Sequence, residues 1–228
     1  MSQNHEKTEK TTLKQKLSLL IHKNSKILLG FLTIIVVLVV GLLISNSIQI
    51  KNLEKYTREI EIIQDSYSEL SIITDEIEKE QAVNTILSQI ETLVKNSPKN
   101  YALQRALFIK GNLYFQNKEW DKAAEAFSTV ADGFQDSYLA PISLVNKAII
   151  LEESKKIDEA IDTYQLLIEK YSSVSPDIPN SYFSLGRLYE QNKDYDAALA
   201  EYNNLVDSFP DSNWTNLARS RIIYIESK

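Results

Sequence analysis

Apolar and polar residues follow three different rhythms along this 228-residue chain, and each rhythm predicts a different kind of helix. From Ile27 to Ser45 the sequence ILLGFLTIIVVLVVGLLIS runs nineteen residues without a charge, and fifteen of them are Leu, Ile, Val or Phe. At about 1.5 Å rise per residue this stretch reaches across a hydrocarbon layer of ~30 Å. It lacks the polar stripe of a soluble core helix, and its insertion into lipid is favoured by about 5–9 kcal/mol. The run exceeds the ~7–15 apolar residues of a signal peptide, and no small-x-small cleavage site follows in LISNSIQIKNLEKY. An uncleaved transmembrane helix over 27–48 is therefore expected.

The second rhythm is a three-four alternation through Leu53, Tyr56, Ile60, Ile63, Tyr67, Leu70, Thr74 and Ile77, an a/d seam broken only at Thr74. Neither Gly nor Pro occurs between Gly41 and Pro98, so a continuous helix leaving the membrane is predicted. Spacing alone leaves open whether the seam meets a second copy, making a homo-oligomer through residues 53–77, or the chain's own next helix; the intramolecular packing is favoured. Ala82 to Val94 repeats the apolar pattern and stops at Asn96-Ser97-Pro98. Residues 49–98 thus read as a long helix plus a degenerate half-repeat.

The third rhythm is self-similarity. GNLYFQNKEWDKAAEAF (111–127), AIILEESKKIDEAIDTY (148–164) and GRLYEQNKDYDAALAEY (186–202) align without gaps at offsets of 37 and 38. Each begins on a small residue (Gly111, Ala148, Gly186), has Tyr114, Leu151 or Tyr189 three later and Ala123, Ala160 or Ala198 after that, and closes on Phe127, Tyr164 or Tyr202. Small side chains let two helices of a hairpin approach closely while large ones fill the space between hairpins. Trp120, Ile157 and Tyr195 share one position before the second helix, and all of these residues are expected in the core.

This pattern resembles the tetratricopeptide repeat (TPR): small residue, Tyr, Ala, aromatic, Pro. The closing proline survives as Pro98 and Pro210, whereas Gln135 and Ser172 stand in its place elsewhere. The resemblance implies an all-α fold, with an N-terminal transmembrane helix, a long helix, and a TPR-type α-solenoid of helical hairpins over 99–228. Its repeats fall at about 100–135, 137–173 and 178–211. Trp214, Leu217, Ala218, Ile222 and Ile225 mark an amphipathic capping helix over 212–226.

Composition narrows the function. Residues 1–26 hold six Lys against two Glu, a basic tail of net +4, while the whole chain carries −6. Only Lys51, Lys55 and Arg58 follow the span within a comparable distance. The excess of Lys on the N-terminal side places that end in the cytoplasm and the repeats on the extracytoplasmic, periplasmic face of the inner membrane, as a single-pass protein. The acidic folded part offers no basic stripe for nucleic acid. With no Cys, and with His5 and His22 both in the tail, it lacks the usual nucleophile–base and metal constellations. No catalytic, cofactor or metal residue is assigned, and the chain is not expected to be an enzyme.

The resemblance implies instead a protein-protein interaction scaffold, whose concave face is lined by the first helix of each pair. The positions it assigns to that groove are Arg105, Phe108, Asn112 and Phe115 in the first repeat, Ile142, Val145, Ile149 and Glu152 in the second, and Phe183, Arg187 and Glu190 in the third. Phe108 and Phe183 have an alternative use in packing between hairpins. Asn112 and Asn146 match the paired Asn of carboxylate-clamp members, but Phe108, Asn180 and Ser184 replace the basic partners, which argues against a cytosolic-chaperone clamp. Basic tail, one span and repeat domain together resemble the YfgM-like ancillary subunit of the Sec translocon, implying an adaptor or chaperone for envelope or secretory proteins. The repeat lipoproteins of outer-membrane biogenesis are a second comparison, weakened by the missing lipidated Cys. The alternative is a structural spacer that oligomerises through residues 53–77 in an envelope-assembly complex.

Overall fold

The computed structural model describes residues 18, 20 and 22–228; His5 and four of the six tail lysines lie outside them. Among the described residues every regular element is a helix: α1 (Ser25–Glu69), α2 (Glu76–Asn96), α3 (Tyr101–Gln116), α4 (Trp120–Gly133), α5 (Leu139–Glu153), α6 (Ile157–Tyr171), α7 (Ile178–Gln191), α8 (Tyr195–Ser208) and α9 (Asn213–Glu226). Two compact units result, Met1–Lys55 and Tyr56–Lys228.

In the first unit, α1 carries no charged side chain from Ile27 to Ser45, and none of its large side chains from Ile27 to Ile44 is buried. It is the one helix among the described residues long and apolar enough to cross a membrane, and its apolar window is 0% buried. Length and composition suit a membrane span or a signal sequence near the N-terminus.

In the second unit the seam packs within the chain. Tyr56, Ile60, Ile63 and Leu70 are buried with Val83, Ile86, Ile90 and Leu93 of α2 and with Ala102, Ala106, Ile109 and Leu113 of α3. The Tyr56 hydroxyl donates to the Asn96 carbonyl over 2.6 Å. The helix expected to run through Ile77 instead stops at Glu69. Asp75 starts α2, its Oδ1 accepting the Glu78 N–H at 2.8 Å, so the apolar period continues across a chain reversal and Ile77 is exposed. The stretch read as half a repeat therefore has a partner, the end of α1.

The three repeats form the hairpins α3/α4, α5/α6 and α7/α8, whose second helices start at Trp120, Ile157 and Tyr195. Gly111 and Gly186 are required by contact: a Cβ added there would sit 2.8 Å from Phe127 Cζ and 2.4 Å from Tyr202 Cε1. Ala148 occupies the same position, fully buried, opposite Tyr164.

Each hairpin turns through a lysine in the left-handed region, Lys118 (φ 61°), Lys155 (φ 63°) and Lys193 (φ 63°). There Lys118 N–H reaches Phe115 O at 3.0 Å and Glu119 N–H reaches Tyr114 O at 2.8 Å, a pattern repeated at Lys155-Lys156 and Lys193-Asp194. Glycine adopts this conformation without the steric cost a β-carbon brings. Lys155→Gly is expected to raise stability by up to about 1 kcal/mol, read as a higher Tm in the thermal circular-dichroism melt of the full chain in detergent.

Helix α9 packs on the last hairpin, α7/α8. Phe209-Pro210-Asp211-Ser212 before it matches Phe134-Gln135-Asp136-Ser137 before α5, which sets Ile223 at the small position of Ala148, Arg219 at that of Leu144 and Glu226 at that of Leu151. Thr215, Ala218 and Ile225 are buried on the preceding hairpin, while Arg219, Ile223 and Glu226 are exposed. A bulky Ile223 thus stands between polar residues on the outer face of α9.

Candidate protein-binding groove

The first helices carry the groove positions, and adjacent ones are joined by polar ties. Arg105 bridges to α1, with Nη1 3.2 Å from Glu61 Oε1 and Nη2 2.9 Å from Gln64 Oε1. Glu152 of α5 pairs with Arg187 of α7 and accepts the Tyr164 hydroxyl at 2.9 Å. Glu190 of α7 repeats this: it takes Arg221 of α9 in a fork, with Arg221 Nε at 3.0 Å, and accepts the Tyr202 hydroxyl at 3.3 Å. In the first repeat Phe115 stands in place of the glutamate and Phe127 in place of the tyrosine, so acid and hydroxyl are lost together. Phe115 instead meets Trp120 edge-on with centroids 5.5 Å apart.

Burial and the nearby glutamate raise the pKa of Tyr164, and push that of Tyr202 up to about 12. Both groups keep their protons to higher pH in the folded chain than in the unfolded one. Their contribution is intact below pH ~10 and is lost as pH climbs from 10 toward 12, because the unfolded chain releases its protons first. The urea midpoint of the full chain in detergent should fall across that window, and Tyr202→Phe should flatten the fall.

The assigned positions separate into two groups. Val145 is buried at 8% exposure and offers a partner little surface. Phe108 lies edge-on to Phe127 at 5.4 Å, and Phe183 stacks between Tyr202 (5.6 Å) and Trp214 (5.3 Å); both rings are half-buried and serve the packing between hairpins. Glu152, Arg187 and Glu190 are held in the ties above. Asn112, Ile142 and Ile149 are half-exposed on the same helix faces.

Two further residues occupy equivalent positions. Leu217 and Tyr224 of α9 stand where Ile142 and Ile149 stand in α5, and are 49% and 47% exposed. The matched FQDS and FPDS motifs could have located them; the amphipathic pattern instead put Leu217 on the buried side. The Arg221 guanidinium lies over the Tyr224 ring at 4.7 Å. Paired charges leave apolar positions between neutralised ions on this face. Among the described residues no group of three His, Cys, Asp or Glu could hold a metal ion.

The tetratricopeptide-repeat family model matches residues 87–138, 109–175 and 145–213, together more than half of the chain. The chain belongs to the tetratricopeptide-repeat family. A TPR repeat-containing protein of Treponema pallidum is 29% identical over 143 residues, which cover 62% of this chain and 59% of that relative's length. Among solved structures, the nearly identical TPR-like repeats of a putative kinesin light chain from Podosopora anserina superpose with a TM-score of 0.52 at 11% identity, covering 76% of this chain and 86% of that one. A tetratricopeptide repeat protein from Parabacteroides merdae gives a TM-score of 0.52 at 16% identity, covering 72% and 61%. At such identities these two share the fold alone. TPR repeats make this chain a scaffold for protein–protein interaction.

Proposed function

We propose that the chain is a single-span membrane protein whose TPR domain, on the extracytoplasmic side, holds a segment of a partner protein against its first-helix faces, as an adaptor or chaperone for envelope or secretory proteins. One observation carries this reading: among the described residues α1 is long and apolar enough to cross a membrane, and the large side chains of its apolar part, Ile27–Ile44, are uncovered. An apolar helix surface without a polar stripe is suited to lipid, and the tail's lysines favour a cytoplasmic N terminus. The architecture resembles that of the YfgM-like ancillary subunits of the Sec translocon. Self-association through 53–77 is the less favoured use, because Tyr56, Ile60, Ile63 and Leu70 are already buried by the chain itself.

Since the chain has no cysteine, single cysteines report topology cleanly. The full chain should stay with membranes through alkaline carbonate extraction, and a form lacking 27–48 should not. A membrane-impermeant maleimide should label Ser173→Cys and spare Ser18→Cys in cells with a permeabilised outer membrane. The opposite labelling, or a mature chain shortened at its N terminus, would sink the proposal.

A further inference from the structure

In each hairpin the small position of the first helix is covered: Gly111 lies against Phe127 and Gly186 against Tyr202, and Ala148 is fully buried. Helix α9 holds Ile223 at that position, 68% exposed. Ser220 and Ser227 stand one turn to either side of it, also exposed. Their hydroxyls bond back to their own chain, Ser220 Oγ donating to the Asn216 carbonyl at 3.1 Å and Ser227 Oγ to that of Tyr224 at 2.8 Å. Both can therefore be covered by an apolar surface without losing a partner. The outcome is a bulky knob between two shallow notches, the relief from which helices pack at ~8–10 Å between axes.

The charges of residues 213–228 define what would cover it. Arg221 is forked on Glu190 and lies over the Tyr224 ring. Lys228 Nζ is 3.2 Å from the Tyr195 hydroxyl and sits over the rings of Tyr195 and Tyr224. Arg219 and Glu226 remain, both exposed, opposite in sign, and in no ion pair among the described residues. They stand two turns apart on one side of the helix, about 10.5 Å along its axis, with Ile223 between them. Around them, α8 and the connection to α9 carry Asp196, Glu201, Asp207 and Asp211 and no cation, so an arriving face must bring positive charge. A copy of α9 laid antiparallel across a two-fold axis beside Ile223 does so: each Arg219 faces the Glu226 of the other copy, and each Ile223 meets the other Ile223 and its Ser220 notch. A parallel copy would set like charges against each other.

We propose that the outer face of α9 is the contact between two copies of this chain, an antiparallel two-fold pair with Ile223 at its centre and the Arg219 of each copy paired with the Glu226 of the other. A two-fold contact needs a patch complementary to itself, and opposite charges placed on either side of one apolar residue meet that condition. Such charge pairs fix register and partner choice more than strength. The pairing does not require the groove to bind anything, so either reading can fail alone.

The test uses the full chain in detergent micelles, its association state read by sedimentation equilibrium, where a monomer–dimer equilibrium is expected. Ile223→Asp, Arg219→Glu and Glu226→Arg, all at exposed positions, should each weaken the dimer at least tenfold with an unchanged circular-dichroism spectrum. Lys170→Glu, a charge reversal on α6, should leave it unaltered. Mixing the Arg219→Glu and Glu226→Arg proteins in equal amounts should restore the dimer, because every charge then meets its opposite across the two-fold axis. As the chain has no cysteine, Ile223→Cys should give a disulfide-linked dimer on mild oxidation. Asn216→Cys, about 20 Å from its mate along the antiparallel pair, should not. A monomer at every concentration, no restoration on mixing, or crosslinking through Asn216→Cys as readily as through Ile223→Cys would overturn the proposal. So would loss of the dimer in Lys170→Glu.

Discussion

Gly186→Val should lower stability by about 3 kcal/mol, a fall in Tm on the order of 10 °C. The first atom of the new side chain would land 2.4 Å from Cε1 and 2.6 Å from Cδ1 of Tyr202, a fully buried ring that also bonds Glu190. The ring cannot yield without losing that bond or forcing α7 and α8 apart. Gly186→Ala should cost less, because Ala148 shows that a methyl group fits when the opposing aromatic is set for it. Gly133 is the control: nothing lies within 4 Å of a Cβ built there, so Gly133→Ala should stabilise by about 0.5 kcal/mol through helix propensity. Equilibrium urea unfolding of the four proteins would read both signs.

Phe127→Ala should be at least as damaging, costing about 3–5 kcal/mol. Phe127 is buried with Tyr114, Ala123 and Ile150, and its ring touches the space above Gly111 and the edge of Phe108. Truncation leaves a void bounded by all of these. It also reverses the effect of a change at Gly111: alone, Gly111→Ala meets Phe127 Cζ at 2.8 Å and should destabilise by about 1–3 kcal/mol, but in the Phe127→Ala background the same methyl enters free space and should recover part of the loss. A double-mutant cycle with that sign is the expected signature of one close-packed pair. Simple additivity would mean that the glycine is not there for the ring.

Much of this was legible because hairpin packing is periodic. Where two backbones must nearly touch, only Gly or Ala fits, and Gly111, Ala148 and Gly186 recur at the spacing of the repeats; Trp120, Ile157 and Tyr195 likewise mark the starts of the second helices. The end of α1 was not legible, since Leu70 is buried and the apolar period ran on through Ile77 even though the chain reverses at Asp75. The left-handed lysines were hidden because nothing in a lysine signals positive φ. Glu152, Arg187 and Glu190 were recognised as facing one side, but their pairing with one another and with Arg221 joins residues 31 to 35 apart, which a local pattern does not contain. Leu217 was placed on the packing side of α9 because it is apolar, whereas it is 49% exposed, and Tyr224 was assigned no position.

With Leu217 and Tyr224 included, the proposed partner surface extends onto α9. With Val145 withdrawn into the core, the accessible apolar positions are the half-exposed Ile142 and Ile149 on α5 and the exposed Leu217 and Tyr224 on α9, separated by the paired charges of α7. Because Glu152–Arg187 and Glu190–Arg221 already satisfy one another, a charged ligand gains little there, and an apolar stretch of a partner chain is the better match.

Site-specific photocrosslinking in intact membranes tests the account most directly. A photoreactive side chain at Ile149 or Tyr224 should capture another protein, and the same group at Thr129, exposed on the second helix α4, should not. Crosslinks confined to copies of the chain itself, or formed equally well from Thr129, would contradict a partner held on the first-helix face.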